Sequence, residues 1–413
     1  MSKYIFIAMN ICNIGGSEQY LYNKTTFLEK QGHDCYVISG MRGKIMIAGL
    51  AKYKSMIIPN VMYPPCLFTK KERLRTIDKI TRIIHFSPDD NCIIESDGID
   101  EAKWGELLAC RYNGRHIVLN VQEVHDYSKD EIKFLRFKYD RQELAGITDR
   151  SVNMMLKDDL LTPHSWSKFS AYCNNVVDDV PNTVSDKFDT DNALTIGSIG
   201  RLEKPFVIPM LKLLSRFFKE HPDKRYNLVL IGGTSQKSVR KKISDIVTQC
   251  NNVKLIITGL MYPIPRDLIK NIDVFISTSG AADVTYLEHK PTIKVHPVTS
   301  EPAGVIGYNF IPEVDSMFNP VPGKTILDYL KDILDNKISI KYTGDDQYVK
   351  YKNTMHAEFA RQLKLAMNSV GNQYYDTSDI EKKGFKYKIY ALLGKSLGGE
   401  NMQTIMDILR KIK

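Results

Sequence analysis

Two glycines, Gly15 and Gly16, separate an apolar run (Tyr4 to Ala8) from a helix-like segment that opens at Ser17. Their spacing is not the dinucleotide pattern G-x-G-x-x-G. Two readings fit. One is a strand-to-helix turn that requires positive φ. In the other, the glycines admit an anion to the backbone N–H groups at the N-terminus of the next helix. Ser17 suits the N-cap role in both. A second group, Gln122-Glu123-Val124-His125, follows the apolar run His116–Val121. Glu123 or His125 would bind an acceptor hydroxyl or take its proton, because imidazole titrates near neutrality; a solvated loop is the alternative. The 9 histidines are scattered without H-x-x-H or H-E-x-x-H spacing, so no metal site is expected. Of the 7 cysteines none forms a C-x-x-C pair, and an odd number without metal-like spacing predicts reduced thiols in a cytosolic protein.

The elements that must position such residues alternate along the chain. Tyr4–Ala8, Cys35–Ile38, Cys92–Glu95 and His116–Val121 read as strands, with helices at Ser17–Gln31, stopped by Gly32, and around Trp104–Ala109. The texture turns polar from Asn174 to about Asn192, which reads as an interdomain linker. A second series follows: strands Leu194–Ile199, Asn227–Ile231, Val253–Ile257 and Val274–Ser277, and helices Pro209–Glu220, Lys237–Gln249 and Arg266–Lys270. Alternation of this kind predicts βαβ units and mostly parallel sheets. Ligands of such sheets bind beyond the carboxyl ends of the strands.

Composition sets the outer limits. At 413 residues two domains are the default, and 43% hydrophobic with 25% charged residues is ordinary for a globular protein. No run of about 18 apolar residues occurs, so no membrane span is expected, and the first strand lacks a signal-peptide cleavage site. The net charge of +9 suggests anionic partners: nucleotide sugars, acidic lipid surfaces or nucleic acid. Nucleic acid is disfavoured for want of an aromatic-interleaved basic strand or known motif.

Several motifs occur in a telling order. Gly200-Arg201-Leu202 follows a strand, and a helix ends at His221-Pro222. Gly232-Gly233 closes another strand, Thr258-Gly259 a further one, and Ile272-Asp273-Val274-Phe275 leads to Ser277-Thr278-Ser279. With Gly15-Gly16-Ser17-Glu18 and Gly32-His33-Asp34, this resembles the family 4 retaining glycosyltransferases (glycosyl transferases group 1) over roughly residues 1–310. The resemblance implies an α/β protein of GT-B fold, two Rossmann-like α/β/α domains facing a central cleft. Residues 1–185 would form the acceptor-side domain and 186–375 the nucleotide-sugar-binding domain, with helices in 376–413 packing back on the first.

The resemblance further implies that Arg201 contacts the donor diphosphate, helped by Lys204, since a guanidinium offers a rigid fork of donors to phosphate. Gly232, Gly233 and the Gly259–Tyr262 turn would face the nucleoside, and Ser279, Gly280 and Asp283 would belong to the same site. An ordinary Arg201–Glu203 ion pair is the plain alternative. No cofactor is implied; the nucleotide-diphosphate sugar is a substrate, and transfer would be retaining and metal-independent. Two departures stand out. The family lysine falls at Phe206, and the position eight before Glu288 is Gly280, so the Glu-x7-Glu pair is absent. Asp283 and Glu301 are the candidate replacement acids; the alternatives are a favourable helix-dipole position for Asp283 and a capping or surface glutamate for Glu301. Glu301, followed by small residues expected to open a helix, is the leading candidate to contact the donor sugar.

One basic stretch, Cys66–Phe86, interleaves Lys70, Lys71, Arg73 and Arg75 with apolar residues at helical spacing. It reads as an amphipathic helix with a solvated face, or as one resting on the anionic inner face of the cell membrane. The expected activity is sugar transfer to a glycan or lipid-linked acceptor in bacterial surface polysaccharide synthesis. The competing readings are a non-catalytic partner of an active transferase and a nucleotide-sugar epimerase on the same fold.

Overall fold

A computed structural model describes residues 2–87, 90–120, 127–146, 149–158, 160–161, 176–177, 180–189, 192–311, 315–342, 344, 347–368, 373–381 and 385–412. The chain divides into two compact units, residues 1–172 with 352–413, and residues 173–351. The expected boundaries at 185 and 375 shift accordingly. The second shifts because a late helix, not only the last forty or so residues, packs on the first unit: Phe359 sets its ring 5.6 Å from Tyr20 and 5.7 Å from Phe27.

In the first unit, β1 (Lys3–Ala8), β2 (Asp34–Ser39), β3 (Cys92–Ser96), β4 (Arg115–Asn120) and β5 (Leu144–Gly146) form a parallel sheet of order β2-β1-β3-β4-β5. Helices α1 (Gly16–Lys30), α2 (Lys70–Ile83), α3 (Ile99–Tyr112), α4 (Lys129–Asp140) and α5 (Asp149–Leu156) accompany it. Trp104 of α3 is fully buried and donates Nε1–H to the Tyr63 carbonyl at 2.7 Å, fixing the helix to the short 3-10 segments that lie between residues 48 and 67.

The second unit opens with β6 (Val176–Val177), which lies inside the polar stretch expected to be linker. Then follow β7 (Leu194–Ile199), α6 (Val207–Glu220), β8 (Tyr226–Ile231), α7 (Lys237–Val247), β9 (Val253–Ile257), β10 (Ile264–Pro265), α8 (Arg266–Lys270), β11 (Val274–Ser277), α9 (Ser279–Leu287), β12 (Thr292–Val295), β13 (Pro302–Val305) and α10 (Ile326–Leu334). Short β6 pairs with β10, and the main sheet runs β13-β12-β11-β7-β8-β9. All its pairings are parallel except β12 with β13. The core forms where Met210, Leu211, Leu214, Phe217 and Phe218 of α6 meet Leu228 and Leu230 of β8. The chain returns to the first unit through α11 (Gln347–Asn368) and ends in α12 (Phe385–Ile412), which breaks at Gly398 where φ is +72°.

Two local expectations are corrected. Gly15 adopts extended backbone (φ −154°, ψ 177°) and is itself the N-cap of α1, so no positive φ is needed and Ser17 lies inside the helix. What Gly15 requires is room, because a Cβ there would stand 2.6 Å from Glu18 Oε2. The small residues after Glu301 form the strand β13 rather than a helix. Pro302 donates no N–H, which an edge strand tolerates and a sheet interior does not.

Candidate functional site

In the second unit, β7 is the strand from which the sheet grows in both directions: β8 and β9 on one side, β11 and β12 on the other. The turns after β7 and β11 therefore flank the topological switch point, where open α/β sheets hold ligands. Ser277 ties these strand ends together by accepting the Ile199 N–H at 3.0 Å. The turns after β7, β8 and β9 are knitted by backbone: Gly200 N donates to Ile231 O at 3.0 Å and Leu202 N to Gly233 O at 3.2 Å. Gly232 N donates to Thr258 Oγ1 at 3.2 Å. A Cβ on Gly232 would lie 1.8 Å from the Gly200 carbonyl oxygen, so that position requires glycine for close approach. Gly259 requires it for conformation, with φ at +79°.

Arg201 and Lys204 stand together at the first of these turns. Arg201 is exposed, and its guanidinium lies 3.7 Å from Glu203, too far for a hydrogen bond. The expected surface pair thus exists in loose form. Lys204 is half-buried and folds its aliphatic stem over Gly200, with Nζ 3.5 Å from where a Cβ would sit. Burial pushes its ammonium below the ordinary lysine range, the adjacent Arg201 charge adds to this, and Glu203 opposes it. Among the described residues no carboxylate lies within ion-pair distance of Lys204, and Glu203 Oε2 is buried without a hydrogen-bond partner. Two cations thus share one carboxylate, a local excess suited to a doubly charged anion.

Across the switch point, α9 begins at Ser279, which holds φ +54°. Ser279 and Thr278 direct their hydroxyls at Met317 Sδ (3.4 and 3.5 Å), leaving the first helical N–H groups without a side-chain cap. Gly280 is exposed with open space over it. Tyr262 follows the β9 turn and is half-buried. The second unit therefore gathers Arg201, Lys204, Gly232, Gly233, Gly259, Ser279 and Gly280 at the carboxyl ends of its parallel strands.

The candidate acids are placed differently. Asp283 accepts from Lys294 Nζ at 2.6 Å, and that ammonium also lies 4.8 Å from the Phe310 ring centre, so Asp283 ties α9 to β12. Glu301 is exposed in the loop joining β12 to β13, where Thr299 donates its hydroxyl to Oε2 at 2.7 Å. The same loop is braced by His296, whose Nδ1 accepts the N–H groups of Val298 and Thr299 at 3.2 and 3.1 Å. Glu288 pairs with Arg266 at 2.8 Å beyond the far end of α9.

In the first unit, Glu123 and His125 lie outside the described residues. An acidic pair that sequence reading missed stands at the switch point between β1 and β3. Asn10 donates to Glu18 Oε1 at 3.1 Å and accepts the Cys12 N–H at 2.7 Å, which holds the loop after β1. Asp97 follows β3, and its Oδ1 is buried without a hydrogen-bond partner. Burial first, and the Glu18 charge second, push the Asp97 carboxyl up to about 7. A carboxylate poised there can take or give a proton at neutral pH. The signal was the position of Asp97 just after the expected strand Cys92–Glu95 and before Gly98.

Most of the chain is similar in structure to several solved proteins, a glycosyltransferase among them. That glycosyltransferase, from Rickettsia africae ESF-5, superposes with a TM-score of 0.57 at 12% identity, over 96% of this chain and 99% of its own. Anabaena Alr3699/HepE in complex with UDP gives 0.54 at 12% identity, over 95% and 99%. The S. aureus MnaA–UDP co-structure gives 0.50 at 15%, over 90% and 100%. No protein-family model and no curated protein matches the sequence. The likeness establishes the fold: two α/β units with parallel-rich sheets, the GT-B architecture of glycosyltransferases.

Proposed function

We propose that this protein is a glycosyltransferase that moves a sugar from a nucleoside-diphosphate donor to a glycan or lipid-linked acceptor. The observation that carries the reading is the pairing of Arg201 and Lys204 at the switch point of the second unit, beside glycine turns and the open N-terminus of α9. Transfer breaks the bond from the anomeric carbon to the diphosphate oxygen and forms one to the acceptor oxygen. Charge builds up on the departing diphosphate, and Arg201, Lys204 and the first N–H groups of α9 are aimed at that charge. With two fixed cations supplying neutralisation, the reading is metal-independent transfer. Open space over Gly259 leaves room for ribose or base at that turn, while Gly232 and Gly233 let the neighbouring turns pack closely. Two structurally similar proteins are solved with UDP, which supports a uridine diphosphate donor. Retention of configuration and a role in surface polysaccharide assembly in the cytoplasm rest on the family resemblance.

A donor screen with nucleotide release as readout tests this, comparing wild type with Arg201→Ala. Release that requires an acceptor and falls in the variant supports transfer; release unaffected by the substitution overturns the diphosphate site. The commitment of Asp283 to Lys294, together with glycine at position 280, favours a second reading, a nucleotide-binding partner without turnover. It predicts that UDP raises the thermal midpoint while no donor is consumed. An epimerase would instead convert donor with no acceptor present.

A further inference from the structure

Between residues 382 and 399 the chain carries five lysines (Lys382, Lys383, Lys386, Lys388 and Lys395) and no acidic residue. The part of α12 before the break at Gly398 has one packed face. Gly394 sits against the Leu67 carbonyl, where a Cβ would come within 2.5 Å, and Tyr390 meets the Tyr63 ring edge-on at 6.3 Å. The opposite face is exposed and mixed: Lys388, Ile389, Leu392 and Lys395 recur at helical spacing. Leu392 is 70% and Ile389 45% exposed, high values for large aliphatic side chains.

Helix α2 lies beside α12 at and beyond its break. Lys79 pairs with Glu400 at 3.1 Å, and Glu72 lies against Gly398, so the two helices are neighbours within the first unit. Arg73, expected to face a membrane, instead donates to the Ser378 carbonyl and Asp379 at 3.2 and 3.3 Å and anchors the C-terminal segment. Lys70, Lys71 and Leu74 remain exposed, and Arg75 keeps a loose 3.7 Å contact with Glu72. Among the described residues, Lys70, Lys71, Lys388 and Lys395 have no carboxylate within ion-pair distance. No described helix is long and apolar enough to cross a membrane.

We propose that the exposed faces of α2 and the first part of α12 form one docking surface for an anionic lipid bilayer, with Ile389, Leu392 and Leu74 entering the headgroup layer. Lysines around an apolar stripe supply both terms of interfacial binding, attraction to acidic headgroups and burial of aliphatic surface. The lysines complement acidic lipid in charge, and the aliphatic residues between them have no counterpart on a nucleic acid. This surface is independent of the donor site, so it stands or falls separately from the transferase reading.

Flotation of the full chain with phosphatidylglycerol–phosphatidylcholine vesicles, against pure phosphatidylcholine, tests it. Expected are binding to the anionic vesicles only, release by high salt, and a drop of about tenfold in the bound fraction for Leu392→Glu. The double variant Lys388→Glu, Lys395→Glu should show a comparable loss. Because these side chains are exposed, the thermal midpoints should match wild type, separating lost docking from lost folding. Wild type that ignores both vesicles overturns the proposal, as does anionic binding that survives both variants. Light scattering that shows a wild-type dimer dissociated by Leu392→Glu, without vesicle binding, would assign the face to a second copy of the chain and overturn it too.

Discussion

Charges are handled in opposite ways in the two units. In the first, Lys24 and Glu95 are buried and saturated: Lys24 reaches Tyr20 at 2.9 Å and Gln362 at 2.8 Å while pairing with Glu95, and Tyr4 donates to the same carboxylate. Glu106 likewise receives His116, Lys138 and the Tyr375 N–H at 2.7, 2.9 and 2.9 Å. Burial alone would raise the Glu106 carboxyl, yet His116 and Lys138 overcome it and hold it at about 2. At the strand ends of the second unit, Arg201 and Lys204 share a single loosely held carboxylate. Saturated clusters of this kind hold elements together, here α11 and the 373–381 segment against the first sheet. An unbalanced pair at a switch point leaves its charge available to a ligand.

Substitutions should separate the two kinds of site. The largest loss of stability is expected for Lys24→Met, which strands Glu95 in the core; about 3–5 kcal/mol by chemical denaturation follows from uncompensated buried charge. A loss below about 1 kcal/mol would mean that Tyr4 and Tyr20 suffice. Arg201→Ala should leave the unfolding midpoint in place and lower nucleotide release by roughly 100-fold or more. Lys204 offers a pH test. Its lowered pKa means that UDP affinity, measured by calorimetry, should decline with rising pH earlier than for a lysine of ordinary pKa, and Lys204→Arg should abolish that decline.

Asp97→Asn is expected to change stability in a pH-dependent way. The native carboxyl is raised to about 7, so the folded state holds its proton where the unfolded state has lost it, and stability contributed by that proton declines as pH rises towards 7. Asparagine removes this liability. Its thermal midpoint should exceed wild type more at pH 8 than at pH 5. A gain independent of pH would detach Asp97 from the titration. The smallest effect on activity is expected for Asp283→Asn, whose carboxylate serves Lys294; loss of nucleotide release there with an unchanged midpoint would return Asp283 to the donor site.

Much of the second unit was readable in advance. Leu194–Ile199, Val253–Ile257, Arg266–Lys270 and Val274–Ser277 form the elements expected, because buried parallel strands and amphipathic helices leave continuous and periodic apolar patterns. The capping boxes at Ser128–Glu131 and Thr325–Asp328 were also present as spacing, and they open α4 and α10. Other features left no such trace. Gly15 is small because Glu18 folds back over it, a contact that glycine shares with many ordinary turns. Residues 302–305 pair with β12 as an edge strand, although their small side chains carry no strand period.

Apolar periodicity and the order of strand-end glycines were enough to specify two α/β units and to place Arg201 at the end of a strand, because those patterns are local. Which charges meet is a matter of tertiary neighbours. Asp283 spent on Lys294, Arg73 drawn to the C-terminal segment and Asp97 beside Glu18 all depend on distances between different elements. Burial and partnership decide whether a charged residue holds the fold together or binds a ligand, and both are set only when the sheets and helices pack.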